Sequence, residues 1–354
     1  MIETEWIIMS KPLRPPAPSR MPISTVRELL RHVGRVGGSP HAIVERSGLP
    51  YRLEALLDPA SQATLSREAA AWLYAECAWA LDAHACRQEE RLPITKKEVD
   101  LLCYCVITCA TLQEVVARTT AFADMLIPRL GRLSLQIEGD TATFHMTSIR
   151  KKRNISAFVS DLTGLSMLHR LFGWLIGEDI DLLDVQVCYR PYLSEEVTAW
   201  LMPHTITYRA PDNLLRFPAR YLQNPVVRSY AELAHLLERF PFDVEEPCSM
   251  HTPISERIRV VFGGALARQT PLPDGTVLAA QFGISPATLK RRLADEGTTL
   301  TRLKEITRRD LALRLLKDET LSATDIAGRL GFSDATAFRR AFKQWTGKSP
   351  MHGR

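Results

Sequence analysis

The sequence predicts an α+β domain followed by an all-α domain, the latter built from two helix-turn-helix units joined by a long helix. Three observations carry this. In the first two thirds of the chain, apolar residues at helical spacing give way near residue 133 to strict alternation, and then to short runs of both kinds, as in a domain that packs helices on a sheet. The last third contains one short pattern twice, LAAQFGISPATLKRRL at 278–293 and DIAGRLGFSDATAFRRAF at 325–342. Charge divides at the same place: residues 251–354 carry 18 Lys and Arg against 10 Asp and Glu, whereas the preceding 250 carry 27 against 30. A basic module on a mildly acidic remainder is an electrostatic footprint suited to a polyanion.

Residues 1–20, with four prolines between Lys11 and Arg20, are expected to form a flexible arm. No apolar run reaches 18 residues and the N-terminus lacks the order of a signal peptide, so the expected location is the cytoplasm. The α+β domain is placed at 21–240. Helices are predicted at 25–36, 66–85 and 111–126, each behind a capping residue. Alternating residues at 133–137 and 141–146 flank Glu138-Gly139-Asp140 as a β-hairpin. A long apolar helix at 155–176, a strand at 183–189, a short helix at 194–201 and strands at 205–209 and 213–217 complete a sheet expected to be antiparallel. Val226, Tyr230, Leu233, Leu237 and Phe240 then recur at spacings of four and three. Two readings stand: a coiled-coil seam joining two copies of the chain, or a helix packed on its own domain. Residues 241–252 read as a linker.

Within 253–354 each repeat has the chemistry of a helix-turn-helix. Ala279 and Ala280, like Ala327 and Gly328, are small enough for a second helix to cross closely. Gly283 and Gly331, 48 residues apart, fit the left-handed position at which the first helix ends. Ile284 and Phe332 plug the turn. Ser285 and Ser333 are expected to cap the second helices, with Pro286 and Asp334 favourable in the first turn. Leu289 and Leu293 face inward, as do Phe338 and Phe342, with Trp345 expected beside them. Counted from the serines, the second unit has one extra residue before its inward pair, which predicts that the two helices need not present equivalent positions. Outward stand Ala287, Thr288, Lys290 and Arg291 in the first unit, and Ala335, Thr336, Arg339, Arg340 and Lys343 in the second. Arg can donate a bidentate pair to guanine, and Thr or Ala can touch a thymine methyl. The repeats are joined by a predicted helix at about 301–317, long enough to act as a rod.

Residues 258–350, above all DIAGRLGFSDATAFRRAFKQWTGKSP, resemble the DNA-binding domain of the AraC/XylS family of bacterial transcription regulators. The resemblance implies base-reading positions at Ala287, Lys290, Arg291, Ala335, Thr336 and Arg340. Ala287 stands where many members carry a large aromatic or polar residue, which implies thinner base reading by the first helix. It also implies duplex promoter DNA and RNA polymerase as partners. The order of elements upstream, the turn at Gly139-Asp140 and the run LFGWLIGEDIDLLDVQVCYRP resemble the long N-terminal effector domain of the subset that includes ornithine-utilisation and virulence regulators. This implies that a small-molecule effector binds there. The sugar-binding barrel of the founding member needs many short strands near the N-terminus, where this chain has helical patterns.

Trp72, Trp79, Phe172 and Trp174 are candidates to line an effector pocket, with plain core packing as the competing reading. His145 and His169 read as buried, hydrogen-bonded histidines. Cys103, Cys105 and Cys109 would point to different faces of a helix and close no tetrahedral metal site, so no cofactor is expected. Cys248 in the linker is the candidate reactive thiol, which keeps a redox sensor open. A DNA-repair methyltransferase carrying such a DNA-binding domain is the enzymatic alternative. It would need Pro-Cys-His-Arg where Pro247-Cys248-Ser249-Met250 stands.

Overall fold

In the computed structural model of the chain, residues 20–61, 63–127, 129–238, 253–318 and 320–350 are described. The arm at 1–20 lies outside them apart from Arg20, as do the linker at 241–252, Phe240 and Cys248. A short pair, β1 (Arg20–Pro22) with β2 (Thr64–Ser66), frames α1 (Ser24–Arg35), α2 (Pro40–Ser47) and α3 (Leu53–Leu57). Then come α4 (Arg67–Gln88), α5 (Lys96–Val106), α6 (Leu112–Met125), β3 (Arg132–Glu138), β4 (Thr141–Thr147), α7 (Ile155–Ile176), β5 (Asp184–Val187), α8 (Glu195–Leu201), β6 (Ile206–Tyr208), β7 (Leu214–Pro218) and α9 (Tyr230–Leu237). Six helices follow: α10 (Ile254–Ala267), α11 (Gly275–Gln281), α12 (Pro286–Asp295), α13 (Leu300–Leu315), α14 (Ala323–Arg329) and α15 (Ala335–Thr346).

Helix α7 organises the first domain. Asn154 caps it by accepting from the Ala157 N–H, and Gly177 ends it at φ +65°. Its side chains are apolar nearly all round, as a helix buried on most sides requires. On one side lies α4, capped by Ser66. On another lies a five-stranded sheet of order β3-β4-β7-β5-β6, whose Phe144, Val185, Leu215 and Phe217 are buried. Its pairings are antiparallel except β5 with β6, which run parallel. The departure from the expected antiparallel sheet has a simple cause. Helix α8 connects those two strands as a crossover, and a crossover returns the chain in the same direction.

Helix α9 turns most of the apolar repeat onto its own domain. Val226, Leu233 and Leu237 are buried in the core of their own domain, and Tyr230 is exposed, stacked on Tyr104. Three of the five seam residues are thus covered by their own domain, Tyr230 is open to solvent, and Phe240 lies outside the described residues. Among the described residues no helix is long and apolar enough to cross a membrane.

The last six helices enclose two small cores. Ile258, Phe262, Leu278, Phe282, Leu289, Leu293 and Leu303 make the first. Ala312, Ile326, Ala327, Leu330, Phe338 and Phe342 make the second. Helix α13 contributes to both, Leu303 to one and Ala312 to the other, and 16 residues at 1.5 Å each give a rod of about 24 Å.

Candidate nucleic-acid interface

Each repeat folds as a helix, a glycine turn and a second helix. Gly283 and Gly331 sit at φ +64° and +71°, a region that costs an L side chain strain. In the first unit Ser285 caps α12 by accepting from the Thr288 N–H at 3.1 Å, with Pro286 in the first turn. In the second, the cap is Asp334 and not Ser333. Its Oδ1 accepts from the Thr336 and Ala337 N–H groups, both at 2.8 Å, and Ser333 donates its hydroxyl to Asp334 Oδ2. The bond from the Ala337 N–H, followed by that from Ser333, holds the Asp334 carboxyl below the usual carboxylate range, so the cap stays charged.

Moving the cap by one residue changes how the repeats align. Ser285 stands four and eight residues before Leu289 and Leu293, and Asp334 stands four and eight before Phe338 and Phe342. The extra residue of the second unit is therefore absorbed in its turn, and α12 and α15 present equivalent positions. Ala287 matches Thr336, Lys290 matches Arg339, and Arg291 matches Arg340. Ala335 matches Pro286 and is only half-exposed. Thr288 is half-buried with its hydroxyl 2.9 Å from Ser285 Oγ, so it points less outward than its spacing suggested.

Lys290, Arg291, Arg339, Arg340 and Lys343 are exposed, and among the described residues none closes a salt bridge within 4.0 Å. Other cations of the same domain are engaged: Arg259 with Asp310 at 3.0 Å, and Arg308, whose Nε donates to the Leu330 carbonyl while its guanidinium lies 5.0 Å over Phe332. Arg268, Arg314, Lys317, Arg329 and Lys348 are exposed without a salt bridge among the described residues as well, so the second helices carry these five cations within a wider basic surface. Long, unpaired guanidinium and ammonium groups there suit phosphate and the acceptor edge of guanine.

Three packing expectations change. Ala279 and Ala327 are buried at the helix crossings, whereas Ala280 and Gly328 are exposed, and a side chain at Gly328 would meet nothing within 4 Å. One small residue per unit is enough. Trp345 is half-buried, its ring 5.9 Å from Phe332.

In the first domain the four candidate aromatics separate. Trp79 lines a cavity of about 150 Å³ between α4, α7 and the end of β4. Trp72 lies on the surface. Phe172 is a core residue set edge-on to Phe144, and Trp174 is buried beneath the Arg228 guanidinium. The cavity wall also holds Asp82, Arg150 and Asp161, which sequence reasoning missed because they are separated by 68 and 11 residues along the chain. His169 is buried with Nε2 2.8 Å from the Ile180 carbonyl, and burial pulls its pKa down to about 4, leaving a neutral ring. His145 reaches Asp212 at 3.4 Å through Nδ1, but its buried Nε2 has no hydrogen-bond partner among the described residues. Burial pushes the Cys103 thiol up to about 12 and Cys109 to about 11, so both are protonated at neutral pH, which opposes thiolate chemistry.

Residues 37–226 match the family description "Arabinose-binding domain of AraC transcription regulator", and 278–354 match that of a helix-turn-helix domain. The chain belongs to the AraC family of transcription regulators. Among its relatives is the ornithine utilization regulator of Pseudomonas aeruginosa, 28% identical over 186 residues, covering 52% of this chain and 54% of that protein. The chain thus spans about half the length of that relative. An uncharacterized helix-turn-helix regulator of Mycobacterium tuberculosis is 24% identical over 259 residues, 70% of this chain and 72% of the other. The crystal structure of the transcriptional regulator CdpR from Pseudomonas aeruginosa aligns over 93% of this chain and 97% of its own, at 19% identity and a TM-score of 0.33.

Proposed function

We propose that the chain is a sequence-specific DNA-binding transcription regulator whose domain at 21–240 senses a small molecule and whose domain at 253–354 reads duplex DNA. The observation that carries this is the pairing of two helix-turn-helix units with equivalent exposed cations through one helix rooted in both cores. Promoter DNA and RNA polymerase are the partners of this reading. Pairing of two copies on repeated sites would need a face other than the buried one on α9.

The test is to select the genomic DNA that the purified chain binds, and then to titrate Arg340→Ala against a selected duplex and a scrambled one. The variant is expected to lose about 1–3 kcal/mol on the selected duplex and far less on the scrambled one, as for a bidentate base contact. Equal losses on both would reduce Arg340 to a phosphate contact, and a chain that selects no sequence would remove the regulator reading.

A junction between the domains gives sensing a route. Helix α7 lines the cavity at one end, and at its other end the Ile176 carbonyl accepts from Arg257 Nη2 at 3.1 Å. The Arg257 guanidinium lies 4.7 Å over Phe282, the residue before the turn glycine of the first unit. A shift of α7 would therefore bear on the base of that turn. Arg257→Ala is expected to speed hydrogen exchange at both the end of α7 and Phe282 by about fivefold, the loss of roughly 1 kcal/mol. Exchange that rises on neither side would remove this route.

A further inference from the structure

The cavity beside Trp79 has mostly apolar walls and one charged corner. There Arg150 Nη2 donates to Asp82 Oδ1 at 2.5 Å and to Ser160 Oγ at 2.6 Å, and Nη1 donates to Cys86 Sγ at 3.3 Å. Arg150 Nε lies 3.9 Å from Asp161 Oδ1. Asp161 Oδ2 accepts from the Tyr189 hydroxyl at 2.6 Å and from Asn213 Nδ2 at 3.0 Å. The other cation of the wall, Arg129, is held bidentately by Glu98 at 2.7 and 2.8 Å. Two carboxylates thus share one guanidinium. Among the described residues Asp82 Oδ2 has the Cys86 thiol at 3.8 Å, and the Asp161 carboxylate, which Ser148 also approaches, has its Oδ1 3.9 Å from Arg150 Nε, so each carboxylate keeps lone-pair capacity to offer.

We propose that this cavity is the effector site and that it takes a small organic cation, an ammonium group on a compact apolar body, in preference to a sugar or an organic anion. The inference rests on the sensor reading above and names its ligand class. A void of about 150 Å³ with apolar walls accommodates a body the size of benzene. An anion there would meet two carboxylates and a guanidinium already committed to them. A sugar would bring several hydroxyls into walls that offer them few partners, and each buried hydroxyl left unpaired costs affinity. An ammonium brings three donors and the missing positive charge. Burial pushes the Asp161 carboxyl above its usual range, with the Ser148, Tyr189, Arg150 and Asn213 interactions pulling the other way, so a bound cation would offset part of the cost of burying that charge.

The test uses the full chain and four probes: benzylamine, its neutral isostere benzyl alcohol, benzoate, and L-arabinose. Benzylamine is expected to raise the melting temperature and to bind at least about tenfold more tightly than benzyl alcohol, the difference a charge-assisted hydrogen bond makes. Benzoate and arabinose are expected to give no shift. Asp82→Asn should weaken benzylamine about tenfold, and Ala78→Leu, which adds apolar atoms at the cavity wall and leaves its charges in place, should abolish binding in a protein that still melts cooperatively. Benzoate or benzyl alcohol binding as tightly as benzylamine would overturn the ligand class, as would no shift from benzylamine. Benzylamine binding unaffected by Ala78→Leu would overturn the site. These titrations read ligand binding alone, so their failure is separate from that of the sensor reading, which fails if no small molecule alters DNA affinity.

Discussion

Phe338→Ala is expected to destabilise the second helix-turn-helix unit by about 3–5 kcal/mol, the range for emptying a phenylalanine site in a core. Phe338 is fully buried, with Phe342 edge-on at 5.7 Å and Phe332 at 6.1 Å, in a cluster of only a few buried side chains. A core that small cannot collapse around the cavity without moving α15, and a domain's net stability is itself only about 5–15 kcal/mol. The first unit has its own cluster around Phe262, Leu289 and Leu293, so the damage should stay local. Trp345 is the only tryptophan after residue 252 and rests on the affected cluster, which makes its emission the readout against a first domain that holds the other described tryptophans. The Trp345 signal should melt early while the first domain melts as in the parent. An unchanged Trp345 transition with lost DNA binding would contradict the burial argument and put Phe338 on the binding face.

The same unit shows how far sequence carries. The turn glycines, the inward pairs and the long apolar helix at 155–176 were readable because each is set by local chemistry: a left-handed glycine, a cap, a period of 3.6. Ser333 and Asp334 are both good caps and stand side by side, so cap chemistry alone could not choose between them. The four-residue step from Ser285 to Leu289 could have, since applied backward from Phe338 it lands on Asp334. The seam at Val226, Leu233 and Leu237 was correct as an apolar face, but periodicity does not say whose surface covers it. The parallel pairing of β5 with β6 and the meeting of Asp82, Arg150 and Asp161 depend on contacts between distant segments, which one sequence does not display. The candidate aromatics separate for a related reason. A ring on an apolar helix looks alike in a core and in a pocket, and of the four Trp79 lines the cavity described above.

Inserting about 5 base pairs between the two contacted grooves of a binding site is expected to lower affinity by at least about a hundredfold, because half a helical turn carries one recognition helix's base contacts away, each worth about 1–3 kcal/mol. The reason lies in α13. Leu303 fixes it in the first core and Ala312 in the second, Thr307 between them is buried, and Arg259 on α10 reaches Asp310 at 3.0 Å. The two units therefore cannot swing independently to follow a displaced groove. If the recognition helices enter successive major grooves about 34 Å apart, the site is asymmetric and fixed in both phase and length. An insertion of about 10 base pairs then separates rigidity from mere phasing: it restores the face of the duplex but adds a full turn of distance, which a rod of about 24 Å cannot span, so affinity should not recover. Recovery at that spacing would mean a flexible connection between the units. Indifference to both insertions, with protection of a single groove, would mean that one unit serves only to hold the other, and the exposed Lys290 and Arg291 or Arg339 and Arg340 of that unit would then contact no base.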